Sequence, residues 1–251
     1  MNEPSTPQTQ NFACTSVCKF PSSAHPTTSK YGGMVKIIVG RNEDSKEFHF
    51  HKGLLCWASS YFKAALKEDR FKEGIEGVVR LEEDDPDTIQ RFMEWVYNGR
   101  ILPEGLIPFQ DELWEVITTQ AMWELYAFAE CRGIPLLKND IIDTVADILA
   151  RTWDMVPPSA VLQIYRDTPC GDGMRRLLVS FMAYAGYNLG GKLSTSSDGY
   201  PSLENIPHEL LLDYMVALEE RAEKFLPIPA RDQWCAIDRC RFHDHPKDQG
   251  V

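Results

Sequence analysis

The chain has 251 residues, with 26 Lys and Arg against 37 Asp and Glu, for a formal net charge of −11. Hydrophobic residues make up 43% and charged residues 25%, a globular composition on a chain long enough to bury a substantial core. The acidic balance excludes a general nucleic-acid binder, which needs clustered Lys and Arg to displace counterions, and no stretch reaches the roughly 20 apolar residues that span a bilayer.

Residues 1–30 are dominated by Pro, Ser, Thr and Gln. Such a segment buries too little to offset its ordering entropy and is expected to be disordered. It holds no apolar h-region of a secretory signal. Seven cysteines, Cys14, Cys18, Cys56, Cys131, Cys170, Cys235 and Cys240, are scattered and odd in number. Reduced thiols and a cytoplasmic or nuclear location are the expectation.

Met34–Val39 is rich in β-branched residues and reads as a buried strand. After a turn at 40–44, Ser45–His51 reads as its hairpin partner, with Phe48 and Phe50 on one face and Glu47, His49 and His51 on the other. Two short helices are predicted over 52–59 and 60–66, the second capped by Ser59 or Ser60. Residues 71–77 read as loop and 78–81 as a third strand. Asp85-Pro86 pairs an N-cap with a proline at the first helical position. Ile89, Phe92, Met93 and Val96 then recur at helical spacing up to a stop at Gly99. A connection at 103–110 leads into a helix over 111–132, striped by Leu113, Ile117, Ala121, Leu125 and Phe128, which Gly133-Ile134-Pro135 ends. Further helices are predicted over 136–153, 159–165, 174–184 and 207–225. The last carries Leu211, Met215, Leu218, Ala222 and Phe225 on one side. Residues 190–201 are Gly/Ser-rich and read as a flexible loop. The final 25 residues are read as irregular.

Specific words then meet this element order. Phe48-His49-Phe50-His51-Lys52, Leu54-Leu55 and Ser59-Ser60-Tyr61-Phe62 resemble the heart of BTB/POZ domains. Val79-x-Leu81-x-Glu83-Asp84-Asp85-Pro86, followed by Phe92-x-x-Trp95-Val96-Tyr97-x-Gly99, is similar to that family's third strand and next helix. Leu125-Tyr126-x-Phe128-Ala129-Glu130 resembles a later helix, and the wording is most similar to fungal members. The resemblance implies an α+β fold: a small three-stranded sheet capped by helices, then a mostly helical C-terminal region. The expected division is a tail at 1–30, the BTB/POZ domain at 31–133, a helical extension at 134–226 and a Cys/His-containing tail at 227–251. Core positions would be Phe50, His51, Leu54, Leu55, Phe62, Phe92, Val96, Tyr97, Gly99 and Leu125, with His51 donating to a backbone carbonyl.

In function, the resemblance implies a non-enzymatic protein-interaction module. Its partners would be a cullin, for which it would serve as a ubiquitin-ligase substrate adaptor, or a second BTB chain in a dimeric transcription or chromatin cofactor. Phe62, Phe71, Lys72 and Glu73 lie where family members meet cullin-type partners. Many members also carry an Asp before the first strand that supports their dimer; here Gly33-Met34 stands in its place.

Chemistry is sparse. Gly171-Asp172-Gly173 has no strand before it and reads as a turn. Glu82-Glu83-Asp84-Asp85 reads as a solvated helix start stabilised by the helix dipole. One cluster stands apart: Cys235-x4-Cys240-x2-His243-x-His245 offers two thiols and two imidazoles, the donor set of tetrahedral zinc. The ending is similar to that of fungal BTB proteins. Either it holds a structural zinc, which requires a turn at Asp244, or it is a polar tail packed by Trp234 and Phe242. A small zinc enzyme is a third reading. No other cofactor is expected.

Overall fold

The computed structural model describes residues 25–41, 43, 45–67, 71–99, 101, 120–153, 158–186, 206–223 and 230–245. β1 (Met34–Val39) points Val35, Ile37 and Val39 into the core. β2 (Lys46–His51) pairs with it antiparallel, in a register that sets Val35 opposite Phe50 and Ile37 opposite Phe48. All four of these side chains are buried, so one face of the hairpin is apolar, as its period of two requires. β3 (Val78–Leu81) lies on the other side of β1 and runs parallel to it, giving the order β2-β1-β3. A parallel pair needs a crossover, and three helices supply it: α1 (Lys52–Ala58), α2 (Ser60–Ala65) and α3 (Lys72–Glu76). The last of these occupies the segment that the sequence reads as loop.

Ser59 caps α2 by accepting from the Phe62 N–H at 3.1 Å. Its hydroxyl also donates to the Arg132 carbonyl at 2.6 Å, tying α2 to a much later part of the chain. α4 (Pro86–Asn98) starts at Asp85, whose carboxylate accepts from the Thr88 N–H at 2.9 Å. It stops at Gly99, where φ of +66° closes the last turn through an N–H to the Trp95 carbonyl. α5 (Gln120–Cys131) is the described part of the predicted long helix; residues 103–119, with Leu113 and Ile117, lie outside the described residues.

The chain continues through α6 (Pro135–Thr152), α7 (Pro158–Asp167), α8 (Gly173–Ala185), α9 (His208–Glu223) and α10 (Ala230–Cys235), and then a 3-10 turn at Arg239–Arg241. The predicted loop at 190–201 lies outside the described residues. One buried apolar cluster runs from the sheet to Trp234 and Phe242. Phe92 sits at its aromatic centre, with the rings of Phe128, Phe50, Trp95 and Phe62 at 5.3, 5.6, 6.1 and 6.2 Å. Trp95 donates its indole N–H to Asp140 at 2.8 Å, joining α4 to α6. No described helix is long and apolar enough to cross a membrane.

Three further expectations about segments need correction. Residues 25–30 belong to the predicted disordered tail, yet they lie along the domain. The His25 ring bonds the Val96 carbonyl at 2.9 Å, and the Gly53 N–H reaches the Tyr31 carbonyl just beyond them. Residues 1–24 lie outside the described residues. α9 buries Leu210 and Tyr214, whereas Met215, Leu218 and Ala222 of the predicted stripe are exposed and Phe225 is not described. Polar anchors set this rotation: Asp213 accepts from the Tyr165 hydroxyl at 2.7 Å, and Arg221 donates to the Ala183 carbonyl. The tail is also less irregular than expected, since α10 and the 3-10 turn order it.

Candidate functional site

Two regions hold the residues singled out by the sequence. The first surrounds α3. Phe62 is fully buried against Phe92, so it is a core residue and cannot also face a partner. Phe71 and Lys72 are exposed and Glu73 is half-buried. Phe71 is the N-cap residue of α3, and Gly77 closes the helix with φ of +66°. Ile75 follows four residues later, its N–H donating to the Phe71 carbonyl at 3.3 Å. The two side chains are 50% and 75% exposed, an apolar pair turned to solvent. The sequence reading missed Ile75 because it missed the helix; the i, i+4 spacing of Phe71 and Ile75 was the available signal.

The other expected core positions divide. Phe50, Leu54, Leu55, Phe92, Val96 and Leu125 are buried, whereas His51 and Tyr97 are half-buried and Gly99 is exposed. Among the described residues, the His51 ring meets the Tyr97 hydroxyl and no backbone carbonyl. The His51 backbone N–H donates to the Tyr97 hydroxyl at 3.0 Å, and the same hydroxyl lies 2.8 Å from the ring Nδ1.

The second region is the C-terminal strap, 236–245, laid along α6. Asp238 caps the 3-10 turn by accepting from the Cys240 N–H at 3.0 Å. Just past this turn the His243 N–H donates to the Cys240 carbonyl at 3.3 Å, which keeps the two residues adjacent. The backbone bends at His243. Asn139 then brackets Asp244, its Oδ1 accepting from the Asp244 N–H at 2.8 Å and its Nδ2 donating to the Asp244 carbonyl at 3.0 Å. This bracket supplies the change of direction that the His-x-His spacing demands. Ligand atoms of Cys240, His243 and His245 consequently lie within 4.8 Å of one another. Cys235 is not part of this group: it ends α10 and packs against the apolar cluster. The five described cysteines are all thiols, and burial pushes that of Cys56 up from its ordinary value.

Around the three residues the strap is held by charge. Arg239 pairs with Asp143 and Asp147 of α6. His243 bonds Asp143 Oδ1 through Nε2 at 3.1 Å. Burial, with the neighbouring His243, lowers the proton affinity of His245 below its ordinary value. Lys138, buried beneath the strap, donates to Asp172 at 3.0 Å, to Asp244 at 2.6 Å and to Glu130. Burial alone would favour its neutral form, but the bonds to Asp244 and Glu130 and the charge of Asp172 outweigh that and raise it above the ordinary lysine value. Asp172 also accepts from the Tyr126 hydroxyl and the Met174 N–H, both at 2.8 Å. The Gly171-Asp172-Gly173 fragment is thus a turn and the N-cap of α8. Gly173 is required there, since a Cβ would fall on the Phe242 carbonyl oxygen and 2.9 Å from Ile142 Cδ1. The Glu82–Asp85 run is solvated only in part: Glu82 and Glu83 are exposed beside Arg41, Asp84 is half-buried and pairs with Arg132, and Asp85 is the cap.

No curated protein matches the chain. The family model of the BTB/POZ domain matches residues 35–132, the span from β1 to the end of α5, with its three-stranded mixed sheet and surrounding helices. The chain therefore carries a BTB/POZ domain, a protein–protein interaction module, followed by a helical C-terminal region.

Proposed function

We propose that this protein is a non-enzymatic adaptor whose BTB/POZ domain docks a cullin-type partner through the α3 face, with the helical region after residue 133 available for a second protein. The observation that carries the reading is the exposed pair Phe71 and Ile75 on a capped helix. Apolar surface removed from water contributes about 25 cal/mol per Å², so two such side chains supply the centre of a small interface. The rim is polar: Lys72 and Glu76 pair across one turn at 3.5 Å beside them. The test is size exclusion with light scattering on the full chain, alone and mixed with the N-terminal domain of a BTB-recruiting cullin. A complex of defined mass supports the adaptor reading. Two chains per particle without cullin binding would instead favour a dimerising transcription or chromatin cofactor.

A further inference from the structure

We propose that Cys240, His243 and His245 form a binding site for a zinc-class divalent ion that fastens the C-terminal strap to α6. Three observations meet here. The ligand atoms lie within 4.8 Å of one another, and tetrahedral zinc, with bonds of about 2.0–2.3 Å, needs separations of about 3.3–3.7 Å. Closing that gap takes about 1 Å of side-chain movement at Cys240 and His245, both half-buried.

The second observation is His243 itself. Its side chain is only 2% exposed, its Nε2 is engaged by Asp143, and its Nδ1 is buried without a hydrogen-bond partner among the described residues. A buried polar atom left unsatisfied costs about 1–3 kcal/mol, so such an atom asks for an explanation. A metal ion beside the thiol and the second imidazole supplies one.

The third is the arrangement behind the ring. A carboxylate on the far nitrogen of a ligating histidine orients the ring, sets its tautomer and raises the basicity of the ligand. Asp143 holds that place, and Asn139 independently fixes the backbone between the two histidines. Thiolate with imidazole is a donor set that favours zinc over the hard cations. Three protein ligands leave the fourth position to solvent, which the half-buried Cys240 and His245 border. The position of Cys235 outside the group replaces the four-residue set suggested by the sequence. The site does not depend on the adaptor reading.

The experiment uses the full chain, stripped with a chelator under reducing conditions. Zn²⁺ is titrated in competition with a chromophoric chelator, and Co²⁺ uptake is followed by absorption. The expected result is one ion per chain, with a thiolate-to-cobalt charge-transfer band and tetrahedral ligand-field bands. Cys240→Ser should abolish the charge-transfer band, and His245→Ala should weaken binding at least about tenfold. Asp143→Asn should weaken it by about 10–100-fold while keeping the charge-transfer band, which marks a positioning role. Cys240 and His245 lie at the edge of the fold, and unchanged circular dichroism of their variants separates ligand loss from unfolding. Absence of saturable uptake by the wild-type chain would overturn the proposal and leave His243 Nδ1 to a water molecule. A charge-transfer band that survives in Cys240→Ser would overturn the ligand assignment.

Discussion

Lys138→Met is expected to destabilise the protein by about 3–5 kcal/mol, the cost of removing one partner from a buried charge cluster. The Lys138 side chain is 5% exposed and faces three carboxylates, but these would not suffer equally. Glu130 and Asp244 reach solvent and can rehydrate, whereas the side chain of Asp172 is 1% exposed and cannot. Asp172 would keep its bonds from Tyr126 and Met174, which moderates the loss toward the lower end of the range. At about 2–4 °C per kcal/mol for a chain of this size, the midpoint should fall by about 6–20 °C. Urea unfolding followed by circular dichroism measures the change, with an unchanged slope showing that stability alone has moved. Lys138→Met combined with Asp172→Asn should recover part of the loss, because the stranded charge is gone. A loss under about 1 kcal/mol for the single variant would refute the reasoning, since it would mean that Asp172 is not stranded.

Other perturbations have equally definite outcomes. Phe92→Ala removes the ring at the centre of the aromatic cluster and should cost about 3–5 kcal/mol, read by denaturant midpoint; under about 1 kcal/mol would contradict its core placement. Gly173→Ala drives a methyl group into the Phe242 carbonyl and should cost about 1–3 kcal/mol in thermal unfolding, where a neutral result would show that the strap gives way freely. Alkaline pH should destabilise the fold. Burial and the charge of Asp172 raise Tyr126 above its ordinary 10.0, burial and the bond to Asp213 raise Tyr165, and Lys138 is held above 10.5. The unfolded chain loses these protons first, so it binds fewer protons than the folded chain as pH rises. Stability is then full below pH 10.0 and is lost progressively above it. Unfolding free energies measured across that range should fall, and Tyr126→Phe should flatten the slope; a flat wild-type profile would contradict the linkage.

The elements that sequence reasoning located share a strong local signal. Phe48 and Phe50 alternate with polar residues, and Asp85-Pro86 and Gly99 bound α4 by backbone chemistry that needs no tertiary partner. α3 lacked such a signal because Gly74 and Gly77 within seven residues imitate a loop. α9 was misread for another reason. Leu210, Leu211 and Leu212 are consecutive, so periodicity allows several faces, and the bonds from Tyr165 to Asp213 and from Arg221 to Ala183 choose among them. At the strap, the Cys240, His243 and His245 spacing was legible, but the residues that hold it were not. Glu130, Lys138, Asp143 and Asp172 come from three separate parts of the fold, and only folding brings them beneath one turn.

If the α3 face is a docking surface, calorimetric titration of the cullin N-terminal domain with the wild-type chain and with Ile75→Asp reads it most directly. Ile75 is 75% exposed, so the substitution leaves the core untouched. The wild type is expected to bind saturably and the variant at least about tenfold more weakly, equivalent to about 1.4 kcal/mol. Equal affinities for the two chains would contradict it.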